Sequence, residues 1–315
     1  MSVYTTLTLS EAQGFAASYG LQVEAISPIQ GGIQNTNYFL HTQTQDYVLT
    51  IFEELSQTQA EAFVQVLQNL AQHQLPVAVP LIAEQKAVHF LKNKPAQIAP
   101  RLMGTHPEHA TLKQIEAVAI AQANLHEALK DFSFQSQNPK NHNYWMQVAK
   151  NLKPNLSVAD QTLLNNLLGL YEVLNLTYPN RPKGLIHSDL FRDNTLFQND
   201  QLCGILDFYE LNHDEFLFDI AITLNDFCTD YPNLTLNEVK ATTFVNAYET
   251  VRPLTSDEKA CLTLYLAMAA ARFWLMRLQV AQKNQQQGRT GSHILQKDPS
   301  QMRNMLVERL QFVTA

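Results

Sequence analysis

The chain is expected to be an α+β protein. A mostly antiparallel sheet with flanking helices should occupy residues 1–102, and a larger helical part residues 103–315. Three observations support this. Short alternating apolar runs, broken by Gly, Pro and Asn turns, dominate as far as Gly104. From Thr111 onward, apolar residues recur at helical spacing. Within the helical part, Gly184 to Phe208 reads G-L-I-H-S-D-L-F-R-D-N-T-L-F-Q-N-D-Q-L-C-G-I-L-D-F, a polar loop followed by two short apolar runs around Asn199-Asp200. A chain of 315 residues is long enough for two lobes with cores of their own.

Taken in order, Thr8 or Ser10 caps a helix from Leu9 to Tyr19, which Gly20 ends. Val23 to Pro28 and Tyr38-Phe39-Leu40 read as strands flanking the turn Gly31-Gly32-Ile33-Gln34-Asn35-Thr36-Asn37. Tyr47 to Phe52 alternates as a half-buried strand does, and Gln57 to Gln72 is a helix. Pro76 to Ile82, Val88 to Leu91 and Gln97 to Gly104 are expected to be further strands. Pro100 has no amide hydrogen and must lie at an edge or a bulge. Thr111 caps a helix from Leu112 to Lys130, on which His126 reads as a structural histidine. Pro154 separates the helices Trp145 to Leu152 and Ala159 to Leu176. Beyond the polar stretch come a loop over Phe208 to Asp214 and helices over Glu215–Phe227, Leu236–Val251 and Asp257 to about Gln285. Gln282 to Ser292 is Gln- and Gly-rich and reads as mobile. Asp298 or Ser300 caps a last helix running to about Val313.

Composition excludes several classes. The net charge of −7, without a Lys/Arg block, gives nucleic-acid binding no electrostatic support. No apolar run reads as a membrane span, and the N-terminus lacks the basic region and apolar core of a signal peptide. The expectation is a cytoplasmic protein, monomer or homodimer, acting on a small molecule and not on a membrane. Cys203, Cys228 and Cys261 are scattered and odd in number, which reads as buried thiols.

The polar stretch has the makings of phosphoryl transfer. That chemistry needs a carboxylate to orient the attacking hydroxyl and take its proton, oxygen ligands for Mg²⁺, and a means of holding a triphosphate. Asp189 suits the first role. Asn194 and Asp207 suit the second, because Mg²⁺ takes hard oxygen ligands and few of them from protein. A hairpin between Thr195 and Leu206 brings Asn194 and Asp207 together at its open end. The Gly31-Gly32 turn with Asn35 reads as a backbone cradle for ATP phosphates, although it is neither G-x-G-x-x-G nor a Walker A loop.

H-x-D-x-x-x-x-N followed by I-L-D-F resembles the catalytic and metal loops of the aminoglycoside phosphotransferase-like kinases. The longer strings H-S-D-L-F-R-D-N-T-L-F, G-I-L-D-F-Y and F-D-I-A-I-T-L-N-D-F-C resemble the homoserine kinases of that superfamily, with similarity from G-G-I-Q-N-T-N-Y-F to H-I-L-Q-K-D-P. The resemblance implies a protein-kinase-like two-lobe fold with ATP between the lobes, backbone contacts to adenine near Leu102 and Met103, His187 and Asp219 as supports of the catalytic loop, and L-homoserine as acceptor. It also exposes a departure. The strand lysine that grips the α- and β-phosphates in most such kinases is replaced here by Thr50, as it tends to be in the homoserine kinases. Glu61, where that lysine's partner is expected, reads as a solvated helix residue.

An amino-acid acceptor needs a cation for its carboxylate and an acid for its amine. Arg192, Arg272, Arg277, Tyr209, Glu210 and Asp214 are the candidates. Arg272 and Arg277 lie among apolar residues, where an unpaired charge is costly; pairing with an acidic side chain of the protein is the alternative role for each. Choline, methylthioribose or an aminoglycoside is the alternative acceptor, and nucleotide binding without catalysis the alternative of another class.

Overall fold

The structure is a computed structural model that describes residues 5–29, 35–136, 139–286 and 297–313. The Gly31-Gly32 turn and most of the Gln- and Gly-rich stretch lie outside the described residues. Among those described, the chain divides into two compact units, one of residues 5–104 with Cys203–Leu206, the other of 105–202 and 207–313.

The first unit opens with helix α1, Leu9–Ala17. Of the two candidate caps, Thr8 is the one used: its hydroxyl accepts from the Glu11 amide and Glu11 accepts back from the Thr8 amide at 2.8 Å. Strands β1 (Ala25–Pro28), β2 (Thr36–His41), β3 (Asp46–Ile51), β4 (His89–Leu91) and β5 (Lys94–Pro100) form one antiparallel sheet in the order β1-β2-β3-β5-β4. Helix α2, Gln57–Gln72, begins with a Ser56–Gln59 capping box. Side-chain alternation places Tyr38, Leu40, Tyr47, Leu49, Ile51, Ala96 and Ile98 on one face, packed with Ala12, Phe15 and Ala16 of α1. The other face carries a cross-strand row in register: Asn37, Thr50 and Gln97.

Two expectations for this unit change. Pro76 to Ile82 forms no strand. Pro76 and Pro80 each remove a donor, so the segment makes only single contacts, such as Leu81 N–H to the Ile98 carbonyl at 2.8 Å. Glu61 is not idle on a helix face, because it accepts the Val88 amide at 2.9 Å and fixes the entry to β4. Pro100 behaves as its chemistry requires. It is the last residue of β5, past the Lys94–Ala96 stretch that β4 pairs, so its missing donor breaks no bond to β4.

The second unit is mainly helical, with α3 (Leu112–Leu129), α4 (His142–Leu152), α5 (Val158–Thr177), α6 (Phe216–Phe227), α7 (Glu238–Glu249), α8 (Ser256–Gln286) and α9 (Pro299–Leu310). Thr111, Asn141, Ser157, Asn237 and Asp298 cap five of these through their side-chain oxygens. Helix α8, 31 residues long, packs against α4, α5, α6 and α9. Contrary to the reading of the bare sequence, it is long and apolar enough to cross a membrane by length and composition. In the structure, 78% of its most apolar window is buried inside the protein.

Phe208 to Asp214 is not simply a loop. A single 3₁₀ turn over Phe208–Glu210 leads into strand β9 (Asn212–Glu215), which pairs antiparallel with β6 (Lys183–Ile186). The expected hairpin is present as β7 (Thr195–Gln198) and β8 (Gln201–Ile205), turning through Asn199 in the left-handed region at φ 54°. Gly184 on β6 is needed for space: a methyl there would stand 2.4 Å from the Phe216 ring.

Candidate active site

Strand β6 carries the buried Leu185 and Ile186 and leads directly into His187 and Ser188, which are buried as well. Ser188 has φ 67°, a conformation that costs a non-glycine residue energy and needs support. Both of its backbone groups are held. Its N–H donates to Asp219 Oδ1 at 2.7 Å, and its carbonyl accepts from Arg272 Nη1. Asp219, fully buried on α6, also accepts from the His187 amide at 3.3 Å, His126 Nε2 at 2.9 Å and Gln122 Nε2 at 3.0 Å. The Tyr248 hydroxyl donates to His126 Nδ1 at 2.6 Å, and the His126 ring stacks on Phe216 with centroids 4.6 Å apart. Burial opposes the Asp219 charge, but the donors outweigh it and hold its carboxyl below the usual range. Burial keeps His126 neutral, so Asp219 is the ionised partner. His187 Nδ1 accepts the Asp189 amide at 3.2 Å.

Asp189 and Asn194 meet directly. The Asn194 side-chain amide donates to the Asp189 carbonyl at 2.8 Å and to its Oδ2 at 3.1 Å. The 3₁₀ turn Arg192–Asn194 sets this up, with the Asn194 N–H bonded to Phe191 O at 3.0 Å. Asp207 follows β8 in the left-handed region at φ 60° and accepts from the Tyr209 backbone amide. Burial, then the negative field of Asp207, push Asp189 well above the ordinary carboxylate range, and Arg272 opposes them. Asp207 keeps an exposed face, yet its enclosure by protein, with Glu210 beside it, moves it to about 6. Lys140 Nζ pairs with Glu210 Oε1 at 2.5 Å, and Arg272 Nη2 lies 4.0 Å from Glu210 Oε2. The result is a cluster of acids with too little positive charge. Among the described residues no group of three or more His, Cys, Asp or Glu is arranged to hold a metal. A site of one carboxylate and one amide oxygen does not require such a group. Asn194 commits its NH₂ to Asp189, and its amide oxygen and the Asp207 carboxylate are hard donors of the kind Mg²⁺ takes.

The remaining candidates lie in different surroundings. Arg192 is engaged by Asp226, through its amide at 2.7 Å and Nε at 3.0 Å, so Asp226 also braces the loop. Arg277 donates to the Asp298 carbonyl at 2.7 Å and to Gln301 at 3.0 Å, tying α8 to α9. Asp214 accepts the amides of His142 and Glu215 at 3.0 and 2.8 Å. In the first unit Asn35 is buried, the Thr50 hydroxyl donates to Asn37 Oδ1 at 2.8 Å, Leu102 is half-buried and Met103 is exposed. Reading the sequence missed Gln122 and Tyr248, and it gave no link between His126 and Asp219. Neither spacing nor composition signals contacts across more than ninety residues.

Asp189 is thus bonded to Asn194, with Asp207 close enough to perturb it. The chain belongs to the phosphotransferase enzyme family, whose model matches residues 25–254. Its curated relatives include the homoserine kinase of Polaromonas naphthalenivorans, 37% identical over 88% of this chain and 89% of that protein. The homoserine kinase of Neisseria meningitidis serogroup B is 34% identical over 98% of this chain and 99% of that one. Among solved structures, the amicoumacin kinase hAmiN in complex with AMP-PNP and Ca²⁺ superposes with a TM-score of 0.71 at 16% identity, covering 97% of this chain and 94% of that one. The choline kinase LicA of Streptococcus pneumoniae gives 0.66 at 13% identity, covering 96% and 98%. At such identities these structures speak for the fold alone.

Proposed function

We propose that this chain is an ATP-dependent kinase that phosphorylates the side-chain hydroxyl of L-homoserine, giving O-phospho-L-homoserine and ADP. The observation that carries phosphoryl transfer is Asp189, bonded to Asn194 and perturbed by Asp207. The acceptor rests on the homoserine kinases to which the chain is 34–37% identical. In the reaction the acceptor oxygen bonds to the γ-phosphorus as the bond from that phosphorus to the β,γ-bridging oxygen breaks. The hydroxyl proton passes to the Asp189 carboxylate, and ADP leaves with the bridging oxygen.

Asn194 and Asp207 would hold Mg²⁺, which when bound offsets the phosphate charge. A cation there also answers the acid excess that keeps Asp189 hard to ionise. His187 and Asp219 hold the loop that carries Asp189, and Arg272 fixes Ser188 from the opposite side. The first unit serves as the nucleotide-binding lobe, with Asn35, the Asn37–Thr50–Gln97 row and the backbone of Leu102 and Met103 toward ATP. The second serves as the catalytic lobe. With Thr50 neutral and bonded to Asn37, charge on the triphosphate falls to the metal. The enzyme works in the cytoplasm on a small molecule.

ADP release from MgATP, measured with L-homoserine, L-serine, L-threonine, choline, methylthioribose and kanamycin, tests the reading. Strong turnover with L-homoserine alone is expected. Turnover with another compound would overturn the acceptor, and silence with ATP still bound would overturn the kinase.

A further inference from the structure

Behind the catalytic loop, helices α4, α5 and α8 line a pocket that opens to solvent. Most of its wall is aliphatic and aromatic, from residues such as Leu164, Leu275, Tyr171 and Phe218. Polar groups break that wall, His142 and Glu215 among them, and three others bear on a ligand. The Arg272 guanidinium is buried, and its Nε has no hydrogen-bond partner. The Trp145 indole is buried too, and its Nε1 has none either. The two lie together, with the Arg272 guanidinium carbon 5.4 Å from the Trp145 ring centroid. Buried donors are normally satisfied, and two orphans lining one pocket point to an acceptor that arrives with a ligand. The third feature is Asp214. Each of its oxygens accepts one backbone amide, and among the described residues it has no ion-pair partner. The neighbouring acid Glu215 is already taken by Arg181 at 2.7 Å and by the Tyr265 hydroxyl.

We propose that this pocket receives the amino-acid end of the acceptor, with the α-carboxylate on Arg272 Nε and Trp145 Nε1 and the α-ammonium on Asp214. The assignment rests on the homoserine kinase reading and says how that enzyme would select its substrate. A carboxylate has two oxygens for two waiting donors, and a planar guanidinium is well suited to it. An ammonium supplies the positive charge that Asp214 lacks; without it, burial leaves this carboxyl raised to about 6. The substrate methylenes lie on the apolar wall. Arg272 links the pocket to the chemistry, because its Nη1 grips the carbonyl of Ser188, the residue before Asp189. An acceptor held on the Nε edge therefore shares one guanidinium with the loop that carries the base. The substrate class is a short α-amino acid with a terminal hydroxyl. Choline lacks the carboxylate, and a sugar lacks both charges.

The experiment uses the full chain with MgATP and three acceptors: L-homoserine, 4-hydroxybutyrate, which lacks the ammonium, and 3-aminopropan-1-ol, which lacks the carboxylate. The unaltered enzyme is expected to lose at least about 100-fold in kcat/KM with either truncated acceptor, since each leaves a buried polar group of the protein unanswered. Trp145→Phe should raise KM for L-homoserine about 5- to 10-fold with kcat and the KM for ATP little changed, the size expected for one lost hydrogen bond. Asp214→Asn should raise the same KM and shrink the penalty against 4-hydroxybutyrate at least 5-fold, because the variant no longer asks for an ammonium. Arg272→Lys is the less informative variant, since Arg272 also holds Ser188. Unchanged homoserine KM in both Trp145→Phe and Asp214→Asn, with acceptor discrimination intact, would overturn the pocket assignment. If the unaltered chain does not turn over L-homoserine, the functional reading fails instead. The pocket is then judged by calorimetry of L-homoserine binding: weaker binding in Trp145→Phe and Asp214→Asn supports it, and equal or absent binding in all three proteins overturns it.

Discussion

Asp219 and Asp189 are aspartates of the same unit, yet the fold treats them in opposite ways. Asp219 receives donors from His126, Gln122 and two backbone amides, and stays ionised below the usual range despite full burial. Asp189 is given Asn194 as a donor but faces Asp207 and Glu210 as well, and is pushed well above that range. A carboxylate that the protein itself satisfies is part of the scaffold. One left short of positive charge is a place where a metal, a phosphate-bound cation or a substrate ammonium completes the electrostatics. The two carboxyls are therefore held in opposite electrostatic states by the same unit.

Substitutions at the two aspartates should break the comparison most sharply. Asp189→Asn is expected to lower kcat by about 10²–10⁴-fold while leaving the urea midpoint unchanged or raised, because it removes a charge the fold does not satisfy. Near-normal turnover in that variant would remove Asp189 from its role. Asp219→Asn should do the reverse to stability. It sets an NH₂ against donors that need an acceptor and is expected to cost about 3–5 kcal/mol in chemical unfolding, the range for breaking a buried pair. A stable, fully active Asp219→Asn enzyme would mean that the network is not a brace.

A smaller effect should appear in the pH dependence of stability. Asp214 is raised from the ordinary 3.8 to about 6, first by burial and then by Glu215, with Arg272 and the His142 and Glu215 amides opposing. A raised carboxyl contributes stability that is fully present below its unfolded value, near 4, and is lost as pH rises through about 6. Relative to Asp214→Asn, the unaltered apo protein should therefore lose about 2.4 kcal/mol between pH 4 and pH 7.5, at about 1.36 kcal/mol per pKa unit. Parallel stability curves for the two proteins would show that Asp214 is not so perturbed. Asp219 has the opposite sign: its stabilisation is present at neutral pH and is lost on acidification. Smallest is Gly184→Ala, whose methyl meets the Phe216 ring that stacks on His126. A loss of about 1–3 kcal/mol is expected, the usual cost of overpacking, with kcat falling less than in Asp189→Asn. Unchanged thermal unfolding would show that Phe216 yields and that the brace tolerates a shifted wall.

Much of this molecule was legible before its coordinates. The caps at Thr8, Thr111 and Asp298 follow from short polar side chains ahead of helical apolar spacing, and β2 and β3 from simple alternation. The spacing from Asp189 to Asn194 to Asp207 was enough to name the chemistry. Legibility failed where distant partners decide. Pro76 to Ile82 looks like a strand until its two prolines are counted against a ladder it cannot make. Phe208 to Asp214 looks like a loop because β9 becomes a strand only against β6, about thirty residues earlier. Of the two apolar-flanked arginines on α8, spacing could not choose. Packing assigns Arg277 to the start of α9 and brings Arg272 to the catalytic loop.

The sequence by itself determined most of the helices, the strands β2 and β3 and the phosphotransferase family, because each depends on neighbours within a turn or a hairpin. Only the tertiary structure decided which buried acids are satisfied and which still need a cation. The donors and fields that settle this come from His126, Gln122, Tyr248 and Arg272, far along the chain from Asp189 and Asp219, and the strength of a charge in a protein interior is set by what is packed around it.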